Sequence, residues 1–97
     1  MRVEYHFQTA TDLNSAVTYY NEKSAGLGDA LRAEVYTTIN NILLNPMRYG
    51  VVEHDIRRSF VHRFPYSVLF RVVGTEVVRV LVIRHHRRHP HFGLSRL

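Results

Sequence analysis

The stretch that decides the fold is DIRRSFVHRFPYSVLFRVVGTEVVRVLVIRHHRRHPHF, which runs from Asp55 to Phe92. Residues of this kind, β-branched and aromatic, fit a pleated and mostly buried surface. They form three runs: 56–61, 66–73 and 77–83. Gly74 and Thr75 separate the last two runs, which predicts a tight hairpin. We therefore interpret the stretch as an antiparallel three-stranded meander with a basic, histidine-rich tail.

Two amphipathic helices are predicted before the meander, because apolar residues recur there every three or four positions. Thr9 stands three residues before Asp12, an N-cap arrangement that would open the first helix, and we expect that helix to end near Gly26. Asn45 precedes Pro46 and should end the second helix, since a residue before proline disfavours the α region.

The order of elements predicts the fold class. Val3, Tyr5 and Phe7 alternate with polar residues as in a short strand, and residues 47–54 are predicted to be a loop. The resulting order, β-α-α-β-β-β, predicts an α+β fold in which a helical hairpin packs on one face of a small, mainly antiparallel sheet. At 97 residues we expect a single domain over 1–97.

Composition excludes several classes of protein. The chain has no cysteine, which rules out disulfides, thiolate catalysis and cysteine-ligated zinc. No apolar run approaches the ~20 residues of a membrane helix, and the first residues do not resemble a signal peptide. We therefore expect a cytoplasmic protein that does not associate with a membrane.

Charge is divided unevenly along the chain. Residues 1–56 carry four basic and seven acidic side chains, whereas residues 57–97 carry nine arginines and one acid. This separation predicts one basic surface, and the planar arginine fork suits contacts with phosphate and carboxylate. We favour an acidic or polyanionic partner over a solvated face that only aids solubility.

Both faces of the predicted meander carry large apolar residues. Strict alternation places Leu69, Leu81 and Ile83 on one face, beside Arg71 and Arg79. Two helices can cover only the other face, so we expect this one to be an exposed amphipathic patch that binds a partner. A homodimer or a separate acidic, amphipathic peptide would cover it.

The densest group of chemically active residues is the run RHHRRHPH at 84–91. A metal site is disfavoured because no carboxylate or cysteine lies nearby and the arginines would repel a cation, so we expect no metal and no other cofactor. A nuclease is a second interpretation, in which arginines and histidines at a strand end bind a phosphate and shuttle protons. A binding surface without chemistry is the third, and the spacing favours it.

The pair Arg57 and Arg58 must point to opposite faces of a strand. We expect one of them to form a structural ion pair near the helices and the other to join the basic surface. The sequence leaves open which of them faces inward.

The chain resembles the ParE/RelE superfamily of small toxins from type II toxin–antitoxin modules. The resemblance follows the order of these residues: Ala10, Asp12-Leu13, Ala16, Tyr19-Tyr20, Leu27-Gly28, Asn45-Pro46, Ile56-Arg57-Arg58, the run FPYSVLFRV at 64–72, and His85, Arg87, Arg88 and Pro90. It implies a cytoplasmic toxin neutralised by a cognate antitoxin whose C-terminal segment wraps around it.

Two activities divide the superfamily, according to the resemblance. RelE-like members cleave messenger RNA on the ribosome, and ParE-like members, the plasmid-stabilisation branch, poison DNA gyrase. This chain is closer to the ParE branch, because Phe92 stands where a ribonuclease often has a late tyrosine, and because the lysines common in ribonuclease sites are absent.

Our hypothesis is therefore a ParE-like toxin that inhibits gyrase. One alternative is a RelE-like ribonuclease, for which the resemblance implies a proton shuttle at His86 and a phosphate held by Arg58, Arg63 and Arg84. The other is a non-toxic binding module of the same fold. Whether the chain is an enzyme stays open. We expect contacts with the target or the antitoxin at these residues: Arg57, Arg63, Leu69, Arg71, Arg79, Leu81, Arg84, His85, Arg87 and Arg88.

Overall fold

Two helices pack on one face of a five-stranded sheet in the computed structural model, which describes residues 1–96. The elements, in chain order, are β1 (Arg2–Tyr5), α1 (Thr9–Lys23), α2 (Leu27–Leu44), a 3₁₀ turn (Pro46–Arg48), β2 (Val51–Glu53), β3 (Ile56–Phe60), β4 (Tyr66–Val73) and β5 (Val77–His85). The predicted α+β class and the helical hairpin are confirmed.

The strand order in the sheet is β1-β5-β4-β3-β2. β1 lies parallel to β5, and the other neighbours are antiparallel. The prediction of a loop over 47–54 is wrong, because β2 pairs with β3 through Val51 and Arg57. Three residues are too few to show an alternating pattern, so this edge strand left no signal.

The predicted N-cap of α1 is also wrong. Gln8 occupies the cap position and makes no side-chain capping bond, while Thr9 is already helical. The side chains of Thr9 and Asp12 instead turn to β5: the Ile83 N–H donates to the Asp12 carboxylate at 3.2 Å, and Thr9 Oγ1 lies 3.4 Å from the Leu81 carbonyl oxygen. β1 pairs with β5 only as far as Val80, so these side chains satisfy part of an edge that lacks a strand partner.

A β-bulge in β5 changes which residues face the helices. Leu69 pairs with Val82 and Phe70 pairs with Val80, so Leu81 is the extra residue. Beyond the bulge the alternation is reversed, and Ile83 packs into the core under the helices. The prediction that Ile83 lies on the opposite face is therefore wrong.

The core under the helices is built from α1, α2, β4, β5 and the residues that follow β3. Its members are almost completely buried, as expected for apolar side chains that stabilise a small fold by leaving water. Its members include Leu31, Val35, Ile39, Ile42, Phe64, Val68, Phe70, Val78, Val80 and Ile83.

The second face of the sheet is covered by residues 86–96, which we call the C-terminal segment. Phe92 and Leu94 of this segment pack on a second buried cluster, whose members are Ile56, Leu69, Leu81 and Val82. The expected exposed patch of Leu69, Leu81 and Ile83 is therefore wrong, and so is the argument for a homodimer through it. Periodicity could not reveal this cover, because the segment is neither helix nor strand.

Three contacts hold the C-terminal segment in place. The Arg84 guanidinium donates to the carbonyl oxygens of Pro90 at 2.6 Å and Phe92 at 3.2 Å. Gly93 has φ +84°, and a Cβ built there would lie 2.7 Å from Val82 Cβ. The Arg96 guanidinium forms an ion pair of 2.6 Å with Asp12, and each side chain is only 10% exposed.

We expect Gly93→Ala to destabilise the protein by about 3 kcal/mol, because the methyl group would meet Val82 and because a left-handed backbone disfavours alanine. Gly50→Ala is the matched control, since nothing lies within 4 Å of its would-be Cβ. The measurement is urea unfolding of both variants and the wild type. Equal stabilities for the two variants would contradict the close packing of the C-terminal segment.

Candidate functional site

One end of the sheet face opposite the helices carries a group of basic and aromatic side chains, which we call the basic cluster. Its members are Arg58, Phe60, Ser67, Arg84 and His86. The register explains the grouping: Phe60 pairs with Ser67, which in turn pairs with Arg84, and directly paired residues share a face. Residues far apart in the chain are thus neighbours on this face.

His86 is held in one orientation within the basic cluster. Its Nε2 shares a hydrogen bond of 3.0 Å with the Ser67 hydroxyl, and Ser67 is only 2% exposed. The imidazole also meets the Phe60 ring edge-to-face at 5.5 Å. The Arg58 guanidinium lies 4.7 Å from the Phe60 ring centroid, a cation–π distance. Phe60 is therefore an exposed aromatic platform between the imidazole and the guanidinium.

The Arg84 guanidinium is occupied by hydrogen bonds to the C-terminal segment. Burial, and to a smaller extent the neighbouring Arg58, lowers the pKa of Arg84 below its ordinary value. An arginine stays charged at neutral pH even so. Its hydrogen bonds to Pro90 and Phe92 compensate part of the cost of that burial.

The basic cluster can bind an anion through Arg58, and its imidazole can move a proton. Three of the four residues predicted for a nuclease, Arg58, Arg84 and His86, come together in it. Arg63 does not belong to the group. It lies between β3 and β4 with φ +75°, and its guanidinium sits 5.3 Å from the Phe64 ring.

Arg57 is the inward member of the arginine pair. Its guanidinium donates to the carbonyl oxygens of Tyr49 at 2.6 Å and Met47 at 3.2 Å, and it thereby anchors the 3₁₀ turn to β3. We expected an ion pair for the inward arginine, and this was wrong, because backbone carbonyl groups serve as the acceptors. Arg58 is the member that joins the basic surface.

The basic surface is smaller than the arginine count predicts. Arg71 pairs with Asp55 at 2.8 Å, and Arg79 pairs with Glu4 at 3.0 Å. The Arg71 hydrogen bond lowers the pKa of Asp55, and the Arg79 hydrogen bond does the same for Glu4. Both arginines are thus paired with acids of residues 1–56.

Two residues predicted as contact residues are inaccessible. Leu69 and Leu81 are fully buried under the C-terminal segment, so no partner can touch them in this conformation. His85, Arg87 and Arg88 lie elsewhere: His85 pairs with Tyr66 on the helix side of the sheet. Arg87 and Arg88 follow it and are exposed.

An apolar groove lies between the end of β1 and the two helices, and it was not predicted from the sequence. It has a volume of about 280 Å³ and is lined by Tyr5, Phe7, Ala10, Leu13, Tyr36 and Ile39, among others. Phe7 is 82% exposed and Tyr36 is 46% exposed. Burial raises the pKa of Tyr5, with Tyr36 as a second cause. One feature of the sequence could have indicated this groove. Phe7 continues the apolar alternation of Val3 and Tyr5 but lies beyond the end of β1, where it is exposed.

Within residues 1–96, no three histidine, aspartate or glutamate side chains are grouped so that they could hold a metal ion. Within the same range, neither helix combines the length and the apolar character needed to cross a bilayer.

Comparison with known proteins identifies the family. The sequence model of the ParE toxin of the type II toxin–antitoxin system, parDE, matches residues 3–90. This chain belongs to the ParE toxin family. The resemblance predicted from the ordered motifs is thereby confirmed.

The ParE chain is also similar to a solved structure described as the chromosomal ParDE TA system from P. aeruginosa. The TM-score is 0.73 at 20% identity, and the likeness covers 88% of this chain and 95% of the other. At this identity the comparison concerns the fold alone. The search of curated protein sequences finds no match.

Proposed function

We propose that this ParE-family chain is the toxin of a type II toxin–antitoxin module, that it acts in the cytoplasm by inhibiting DNA gyrase, and that a cognate antitoxin neutralises it. The family match over residues 3–90 supports the toxin part. The observation that carries the choice of target is the engagement of Arg84 with the carbonyl oxygens of Pro90 and Phe92.

A ribonuclease needs cations that reach the scissile phosphate and a group that transfers a proton. Here Arg84 holds the C-terminal segment, and Arg63 lies outside the basic cluster. Phe92 has no proton to exchange, and its ring is packed on the second buried cluster. Only Arg58 and His86 remain as candidates. This favours a toxin that acts by binding over one that cleaves RNA.

We assign the apolar groove to the antitoxin. Its rim is formed by exposed aromatic residues, Phe7, Tyr5 and Tyr36, and its floor by Leu13 and Ile39. Such a surface binds the apolar side chains of an amphipathic segment, and large aromatic residues tend to contribute most of the binding energy. The predicted antitoxin contacts on the sheet face are limited to arginines at its rim, because Leu69 and Leu81 are buried.

His86→Gln tests the two activities against each other. Glutamine can keep a hydrogen bond to Ser67 but cannot shuttle a proton, so we expect a gyrase inhibitor to retain its growth arrest within about twofold. A ribonuclease that depends on His86 would lose about a hundredfold or more in cleavage. The measurements are growth after induction, gyrase supercoiling with purified protein, and primer extension on messenger RNA.

The control in this experiment is uninduced cells, and circular dichroism verifies that the variant folds. Inhibited supercoiling, together with messenger RNA that carries no codon-phased cuts, supports the proposal. Codon-phased cuts in messenger RNA that disappear in His86→Gln would overturn it in favour of the ribonuclease. Harmless expression of the wild type, with no effect on gyrase, would leave only the binding module.

Phe7→Ala tests the assignment of the groove. We expect it to weaken antitoxin binding by about tenfold or more, because the most exposed aromatic ring of the groove no longer contacts the antitoxin. Leu44→Ala is the matched control, since Leu44 is 84% exposed but does not line the groove. The measurement is calorimetric titration of each variant with the purified antitoxin. Equal affinities of the two variants would show that the antitoxin binds elsewhere.

A further inference from the structure

A second cleft lies at the start of β4 and the end of β5, beside the last turns of α1, and neither the basic cluster nor the apolar groove includes it. Its volume is about 520 Å³, which is within the size range of ligand sites. We call it the aromatic cleft. It is lined by Tyr19, Tyr20, Lys23, Leu27, Tyr66, His85, Arg87 and Arg88.

The charge in the aromatic cleft is entirely positive. Within residues 1–96, no carboxylate lies within salt-bridge distance of Lys23, Arg87 or Arg88. Asp12 lines an adjoining pocket and is already paired with Arg96. Glu22 lines another pocket, which shares only Tyr19 with the cleft. Lys23 and Arg88 lie over the rings of Tyr19 and Phe92, at 5.2 Å and 4.2 Å from the centroids. An anionic ligand can therefore pair with the three cations without displacing a carboxylate, and an anion is the ligand that this charge selects.

Flat rings line the same cleft. Tyr66 meets His85 edge-to-face at 5.0 Å, and Tyr20 meets Tyr19 edge-to-face at 5.3 Å. Tyr19 is 54% exposed, and Lys23 Nζ lies 5.2 Å from its ring centroid. An exposed ring beside a cation offers a surface on which a planar group can stack.

His85 is prepared for a polar contact. Its Nδ1 accepts a hydrogen bond of 2.9 Å from the Arg87 backbone N–H, which fixes the ring and leaves Nε2 as the nitrogen that can meet a ligand. Burial, with Tyr20 and Tyr19 as further causes, raises the pKa of the Tyr66 hydroxyl, so this group stays a neutral donor. The cleft thus combines fixed polar groups, rings and cations.

We propose that the aromatic cleft binds single-stranded nucleic acid. An unpaired base stacks on the Tyr19 ring, and the flanking phosphates pair with Lys23, Arg87 and Arg88. Duplex DNA would leave the rings unused, because its bases are already stacked. An acidic peptide would use the cations but would have no planar group for the rings. This inference goes beyond gyrase inhibition, which requires no nucleic acid at this cleft.

The test is fluorescence anisotropy of the full chain with a labelled oligothymidylate of about twelve nucleotides, between about 50 and 200 mM salt. We expect Tyr19→Ala to weaken binding about tenfold and Tyr19→Phe to retain it, because the ring carries the stacking. Arg87→Ala should weaken binding and reduce the slope of log Kd against log salt by about 0.7, the value for one lost phosphate contact to a single strand.

Two variants serve as matched controls. Leu44→Ala removes an exposed apolar side chain from α2, and Arg32→Ala removes a cation whose side chain bonds Asn14. Both should bind the oligonucleotide within about twofold of the wild type. Circular dichroism verifies that each variant is folded.

Several outcomes would overturn the proposal. They are an absence of binding, equal losses in Tyr19→Ala and Leu44→Ala, and competition by an abasic oligonucleotide, duplex DNA or polyglutamate as strong as that by oligothymidylate. The abasic oligonucleotide, duplex DNA and polyglutamate are all polyanions without unpaired bases, so weak competition by them distinguishes a base-stacking site from a general polyanion surface. Gyrase inhibition is measured in a separate assay. An absence of oligonucleotide binding would therefore not affect the proposal that gyrase is the target. An absence of gyrase inhibition would not affect the oligonucleotide-binding assay.

Discussion

The buried ion pair between Asp12 and Arg96 connects the first turn of α1 with the C-terminal segment, 84 residues later in the chain, beside the unpaired edge of β5. Burying two charges is costly unless their other hydrogen bonds are made. Here Asp12 also accepts from the Ile83 N–H, and Arg96 also donates to the Leu81 carbonyl oxygen at 3.1 Å. The same bonds satisfy a strand edge that β1 leaves open, so the edge and the ion pair stabilise each other.

This anchoring decides where function can lie. Because the C-terminal segment covers the second face, the middle of the sheet offers no apolar surface to a partner. The accessible sites are at its margins: the basic cluster around Phe60, the apolar groove around Phe7, and the aromatic cleft around Tyr19. Arg84 connects the C-terminal segment to the basic cluster. Its guanidinium bonds Pro90 and Phe92, so it is not available to bind a phosphate.

Periodicity predicted the helices, the long strands and their order, because each of these elements buries one regular stripe of side chains. It failed where the backbone departs from regularity. The bulge at Leu81 moves Ile83 to the other face, and no residue in the run VVRVLVIR marks that position. The cover formed by Phe92 and Leu94 depends on contacts distant in sequence. Strand pairing brings Arg58 close to His86. Arg63 lies instead in the turn after β3, where its guanidinium contacts the Phe64 ring.

The central claim is that the Asp12–Arg96 pair holds the C-terminal segment on the sheet, and a double-mutant cycle tests it most directly. The free energy of unfolding is measured for Asp12→Asn, Arg96→Gln and the double variant, with the exposed pair Arg2 and Glu4 as control. We expect each single change to cost about 3 kcal/mol and the pair to couple by about 2 kcal/mol. Additive losses below about 1 kcal/mol, no larger than those of an exposed ion pair, would contradict the claim.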